Sequence, residues 1–523
     1  MDDLRVLFWL LKGIAKLLFV LFRTVFRMLR WLVRRVRPAP VEALAAPPTM
    51  TRVPSAPPPV KRSAVEALTA KVQALATLAR ATDGRCATSS LCAPLQPTLR
   101  DFLLPRLQEM QAELRRVHTA AQVDRIAASL RYLNALTQLL ARMAEQRADP
   151  NLDELIDDAD TLAEACYRPV VDYCRTNDVP LSSNRTAAVF GDDCSPSLGR
   201  IDDPTGLAIL HLPWKWLAEV HRWPAIGHEV GHDFYASVAG LDEQLLRQQG
   251  LSDVVDQGQV VDRGQAVTSR DVDRLVTHWR HELVADAFGV MMLGPAYAVT
   301  TATILAQPDE PGEVLAAQTD GDEYEVHPPG HLRVAAVCRL LARLGHGALG
   351  DELERRWRDQ HGDPAAIFLQ CDSGWLRVGD QPFIKRAVAL TSALYSEGFA
   401  ALREIPLASM PGFDFGPREH EAALRVKDAF LTDKQPRPTD ARLLIAGAVL
   451  AWAQRPADNV RLLRAARIAV GRLPLPVPGA AVTATSAGRP ASIRALVRDA
   501  IILDVLLSPP QAALALAKAG RRR

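Results

Sequence analysis

The sequence predicts a mainly α-helical protein with one small β-sheet near its middle. Three observations lead there. Apolar residues recur at i, i+3 and i+4 through QEMQAELRRV (108–117) and IAASLRYLNALTQLLARMAEQ (126–146), the spacing of one buried helix face. Only TAAVFGDD (186–193) and GLAILHLP (206–213) in that part of the chain read as short β-type runs. A length of 523 residues with 48% hydrophobic and 23% charged side chains is ordinary globular composition with room for two or three domains.

Taken in order, residues 4–36 (LRVLFWLLKGIAKLLFVLFRTVFRMLRWLVRRV) are apolar enough to suggest a membrane span, but cations recur throughout. Arg5, Lys12, Lys16, Arg23, Arg27, Arg30 and Arg34 are separated by 7, 4, 7, 4, 3 and 4 residues, which at about 100° per residue confines them to one narrow stripe of a helix. A spanning helix needs roughly 20 apolar residues in a row. A helix lying in the membrane interface satisfies both faces, so 1–36 is expected to be an in-plane amphipathic helix. Packing on another subunit or on the body of the protein, or a tilted span, are the alternatives. Lys12 and Lys16 interrupt the apolar stretch that a cleaved signal peptide requires. The expected location is therefore peripheral, on the cytoplasmic face of a membrane.

Residues 37–62 contain eight prolines and no apolar period, an extended linker. A helical region is expected over 63–185, then a domain over 186–345 holding the two strands. In that domain WKWLAEVHRW forms a helix that stops at Pro224, AIGHEVGHDFYASVAG a second ending at Gly240, 270–305 a long one and 333–345 another. Residues 346–523 read as a further helical region, with proline-containing breaks near 405–418, 435–438 and 473–490.

Charge and cysteine content narrow the function. Residues 1–37 carry nine Lys/Arg against Asp2 and Asp3, a net +7, so the rest of the chain sums to −5 of the overall +2. With no basic stripe beyond the head and 6% aromatics, nucleic acid is not an expected partner. Seven scattered cysteines without a CxxC pair point to a reducing compartment rather than a disulfide framework.

The chemistry lies in AIGHEVGHDF (225–234). On a helix, His228 and His232 project from one face one turn apart, so both imidazoles can bind one metal ion. Glu229 beside them can hold and deprotonate a water without bonding the metal. With 12 His in the chain, such a motif arises by chance in roughly one chain in a hundred, so a second signal is needed. It comes at 282–286, ELVAD: Glu282 would be the third ligand, and Asp286, on the same helical face, could accept a hydrogen bond from the far nitrogen of a ligating His. Ala285 and Gly289 are small enough to let this helix approach the first. Asp233 is a weaker ligand candidate, one residue off the His face. His278 suits a supporting or surface role, and His281 the surface. His327, held extended before Pro328, could polarise a substrate carbonyl. His327 and His331 cannot share a helix face across Pro-Pro-Gly. Arg333 would order the site through an ion pair with a buried carboxylate, Asp286 being one candidate. Trp214, Trp216 and Trp223 read as core or interfacial anchors.

HEVGH followed by ELVAD resembles the gluzincin zinc metallopeptidases, and the ExxAD form is most like the M48 group of HtpX-type endopeptidases. His327-Pro-Pro-Gly-His-Leu-Arg333 is similar to the HP-containing segment that follows the ligand helix in that group. The resemblance covers about 186–345 and implies a zincin-like catalytic domain with a small edge sheet, Zn2+ on His228, His232 and Glu282, and hydrolysis of a peptide or protein substrate with Glu229 as base. It further implies that GLAILHLP is an edge strand pairing with substrate backbone. A second reading is a membrane-tethered interaction or scaffold protein built on a peptidase-like domain. Metal content separates the two.

Overall fold

The computed structural model describes residues 62–473 apart from 184, 192–196, 201–205, 255–259, 261–265, 307–314, 321–322, 362–364, 372–373 and 438–439. The expected head helix (1–36), the linker up to its last residue, and the chain after 473 lie outside the described residues. Within them the protein is mainly helical with small sheets.

Helices α1 (Arg62–Cys86), α2 (Leu104–Leu114), α3 (Ala120–Ala148) and α4 (Asp153–Thr176) open the fold. α3 begins where Thr119 is followed three residues on by Gln122, and each side chain accepts the other's backbone N–H, a reciprocal cap. Its Leu133, Leu136, Leu140 and Met143, at helical spacing, are buried in a core shared with α1 and α2.

β1 (Arg185–Gly191), β2 (Ser197–Arg200) and β3 (Leu207–Pro213) form a sheet in the order β1-β3-β2, with β3 parallel to β1 and antiparallel to β2. Both predicted runs are strands. GLAILHLP, however, is not at the edge: it is the central β3, paired on both sides and buried at every residue. A continuous apolar run suits a strand enclosed on both faces. Ala187, Val189, Leu207 and Ile209 face the α1–α3 core, while Ala188, Phe190, Leu210 and Leu212 face the opposite core with α4, the alternation a pleated strand imposes. The outer side of β1 is closed by side chains. Gln146 exchanges two hydrogen bonds with Phe190, Asp160 accepts the Ala188 N–H, and Arg147 donates to the Ala188 carbonyl and to Asp160. Ladder groups that would otherwise be unpaired are thereby satisfied, and β2 is left as the other edge.

The stretch 214–223, expected as a helix, forms two 3-10 turns, Trp214–Ala218 and Val220–Arg222, split at an extended Glu219. A distant side chain supports the break: Asn459 accepts the Val220 N–H and donates to the Ala218 carbonyl. α5 (Ala225–Ser237) and α6 (Leu241–Gln248) follow, separated by Gly240 at φ 81°. The helix expected over 270–305 is three: α7 (Ser269–His278), α8 (Arg280–Leu293) and α9 (Pro295–Leu305). Gly294 sits at φ 54°, ψ −135° and Pro295 has no N–H, so the helix cannot continue through them.

Next come β4 (Ala316–Ala317), β5 (Thr319–Asp320), β6 (Glu323–Tyr324), α10 (Gly330–Arg343), α11 (Gly347–His361), β7 (Ala366–Cys371), β8 (Gly374–Gly379), α12 (Gln381–Ser396), α13 (Pro417–Leu431), α14 (Ala441–Gln454) and α15 (Asn459–Val470). The hairpin β7–β8 corrects the expectation of an all-helical region after 346. β7 pairs in parallel with β4, some fifty residues earlier, a partner local periodicity cannot reveal. Phe383 and Leu390 of α12 and Leu444 and Val449 of α14 lie in the same core as Val230 and Phe234 of α5 and Leu283 and Phe288 of α8.

Candidate metal centre

Two helices cross almost backbone to backbone to build the site. A Cβ placed on Gly231 of α5 would lie 2.8 Å from the Phe288 Cβ and 3.0 Å from the Ala285 Cα. One on Gly227 would lie 2.9 Å from a Leu293 methyl and 3.7 Å from the Gly289 Cα. Gly227 and Gly231 of GHEVGH and the small residues of ELVADAFG therefore set the distance at which α5 and α8 meet. This brings Glu282, in the first turn of α8, to the His face of α5.

His228 Nε2 lies 3.0 Å from His232 Nε2 and 3.5 Å from Glu282 Oε2, and His232 Nε2 lies 3.3 Å from Glu282 Oε1. Around a cation bonded tetrahedrally at 2.0–2.1 Å, donor atoms stand about 3.3 Å apart, a spacing that the two imidazole nitrogens and the two Glu282 oxygens, each facing one of them, come close to. Among the described residues this is the one group of three such side chains whose ligand atoms converge, and it could hold a metal ion. His228 and Glu282 are buried, His232 partly so. Glu229 is buried beside them without being one of the three.

Behind the donors stands a layer of ion pairs. Asp286 lies 3.0 Å from His228 Nδ1 and takes both prongs of Arg333, Nε to Oδ2 at 2.8 Å and Nη2 to Oδ1 at 2.7 Å. Arg333 Nη1 also reaches Glu282 Oε2 at 3.3 Å. The Asp286–Arg333 pair thus lies against His228 and Glu282. Tyr297 of α9, which the sequence did not single out, donates to Asp286 Oδ1 at 2.6 Å and lies 3.1 Å from His228 Nδ1. Its only sequence signal is the Gly294-Pro295 break just before it, which folds α9 back across α8.

Burial would push the Glu282 and Asp286 carboxyls up, but Arg333 and the imidazoles outweigh it and hold both below the usual carboxylate range. Burial would likewise push His228 down, yet Asp286 and Glu282 raise it to about 10. At Glu229 burial wins and the carboxyl is pushed up, against the pull of the two imidazoles. The site is thus a nest of fixed charge in which two carboxylates stay ionised and favour a cation beside them.

His327 is brought to the rim, its Nε2 3.5 Å from Glu282 Oε1 with 60% of its side chain exposed. Its loop is latched by α7 and the residue after it: His278 Nε2 donates to the Tyr324 carbonyl and Trp279 Nε1 to the Glu325 carbonyl. His278 therefore supports the loop rather than the metal. Asp233 is buried beside Tyr167 and Ser237 and is not among the three side chains whose ligand atoms converge. His281 is exposed, edge-on to Tyr235. His331 is buried in a pair with Asp380, at 2.9 Å. Trp214 stacks on Phe190, Arg222 lies over Trp216, and Trp223 is in the core.

Comparison with protein-family models, with curated proteins and with solved structures finds no match to this chain.

Proposed function

We propose that this chain is a zinc-dependent endopeptidase of gluzincin type acting on a peptide or protein substrate. The observation that carries the reading is the convergence of His228, His232 and Glu282, with Glu229 buried beside them and His327 on the open side. Two imidazoles and one carboxylate form a donor set that suits zinc better than the harder divalent ions. Bound there, zinc would polarise the scissile carbonyl and acidify the attacking water. Glu229 takes the proton from that water and passes it to the leaving amine. His327 donates to the developing oxyanion. Arg333 and Asp286 keep Glu282 and His228 in place.

The test is Glu229→Gln. Its zinc content should match wild type while cleavage of an unfolded protein substrate falls by about 10²-fold or more. Retained cleavage would sink the assignment. A wild-type protein without near-stoichiometric zinc would favour the tethered scaffold instead.

A further inference from the structure

We infer that Tyr297 is a positioning residue of the metal centre: its hydroxyl, shared between Asp286 and His228, fixes the imidazole so that Nε2 faces the metal. This rests on the metal-binding reading above and assigns the residue that reading lacks. A phenol has one proton to give and two lone pairs. Here the proton goes to Asp286 Oδ1 at 2.6 Å, so toward His228 Nδ1 at 3.1 Å the oxygen can only accept. Asp286 Oδ1, 3.0 Å from the same nitrogen, is also an acceptor. Nδ1 therefore faces two acceptors and must carry its hydrogen. In the metal-bound form, where one ring nitrogen gives up its proton, that nitrogen is Nε2, which faces His232 and Glu282.

The ring's placement leaves little freedom. Tyr297 is 2% exposed, so no bulk water competes for the hydroxyl. The ring lies over Gly289 so closely that a Cβ there would sit 2.4 Å from it. The Gly294-Pro295 turn starts α9 with Tyr297 N–H bonded back to the Gly294 carbonyl, which aims the side chain across α8 at Asp286. Phenylalanine would fill the same volume without burying a hydroxyl, so packing alone does not account for the tyrosine. Partners that orient a ligating imidazole affect metal affinity by about 10–100-fold, and with Asp286 still present the lower end applies.

Tyr297→Phe and wild type would be compared by zinc dissociation constant, measured by competition with a chromophoric chelator, by thermal unfolding of the metal-free protein, and by the visible spectrum of the cobalt-loaded form. We expect zinc binding weakened about tenfold, a shifted cobalt spectrum and a metal-free transition that stays cooperative and falls only by the loss of one buried hydrogen bond. Gly289→Ala, which collides with the ring, should weaken zinc at least as much and lower the metal-free transition too. Zinc affinity within twofold of wild type in Tyr297→Phe, with an unchanged cobalt spectrum, overturns the assignment while leaving the metal centre standing. A wild type that binds no zinc overturns the metal centre and this assignment with it.

Discussion

His211 and His228 are both buried imidazoles, yet they titrate in opposite directions. His228 faces two carboxylates and is held up to about 10, although burial opposes it. His211 lies on β3, buried, and burial together with Arg142 of α3 pushes it down to about 4. The sign of its contribution follows. Between the unfolded value near 6.5 and the folded value near 4, the unfolded chain binds more protons than the native one, so the stability due to neutral His211 is complete above about pH 6.5 and is lost as pH falls. At about 1.4 kcal/mol per pKa unit, the loss by pH 4 is up to about 3 kcal/mol. Other groups titrate over the same range, so the clean measurement is a difference. In urea unfolding at pH 7, 5.5 and 4.5, His211→Leu should lose less stability than wild type on acidification. A wild-type-minus-variant difference that does not change with pH would refute the role given to burial here.

At the scale of elements, the crossing of α5 and α8 decides whether a glycine helps or harms. Gly84 in α1 and Gly231 in α5 are both helical glycines at negative φ. A Cβ at Gly84 meets nothing within 4 Å, whereas one at Gly231 meets Phe288 and the Ala285 backbone at 2.8–3.1 Å. Gly84→Ala should therefore stabilise by about 0.5–1 kcal/mol, the ordinary gain in helix propensity. Gly231→Ala should destabilise by about 1–3 kcal/mol through overpacking and weaken metal binding by moving Glu282 away from the histidines. Chemical denaturation of the two variants side by side tests this, and the same sign in both would refute the crossing argument. The comparison also explains what could be read from the sequence. Helical spacing and the motifs HEVGH and ELVAD are local signals, and they foretold α5, helix through 280–293 though not its two ends, and the three side chains that converge there. The hairpin β7–β8, the break at Glu219 held by Asn459, and Tyr297 over Gly289 depend on partners far along the chain or on a chain reversal, and no local period encodes those. The position of β3 was misread for a related reason: an apolar run tells how enclosed a strand is, and only the pairing of β1 and β2 tells on which side.

At the scale of the whole molecule, charge is apportioned unevenly. Nine cations against two acids in residues 1–37 leave the rest of the chain net acidic. Among the described residues α1 to α15 enclose buried apolar cores, and no helix there is long and apolar enough to cross a membrane. If the head lies in the interface, attraction to anionic lipid adds about 1 kcal/mol per cation near the surface to the burial of the Leu, Phe and Trp side chains between them. The two contributions respond differently to salt, because only the first is screened over a Debye length. Full-length protein should therefore sediment with anionic vesicles, less so as salt rises from 0.1 M toward 1 M, and less with neutral vesicles. Deleting residues 1–37 should abolish sedimentation and, if the segment lies in the interface and not on the body, leave the thermal unfolding of the body unchanged. Equal vesicle binding with and without residues 1–37 would rule out the interfacial helix. Lost binding accompanied by a lowered transition would instead mean that the apolar stripe packs on the body, so the same deletion separates the two readings of the head.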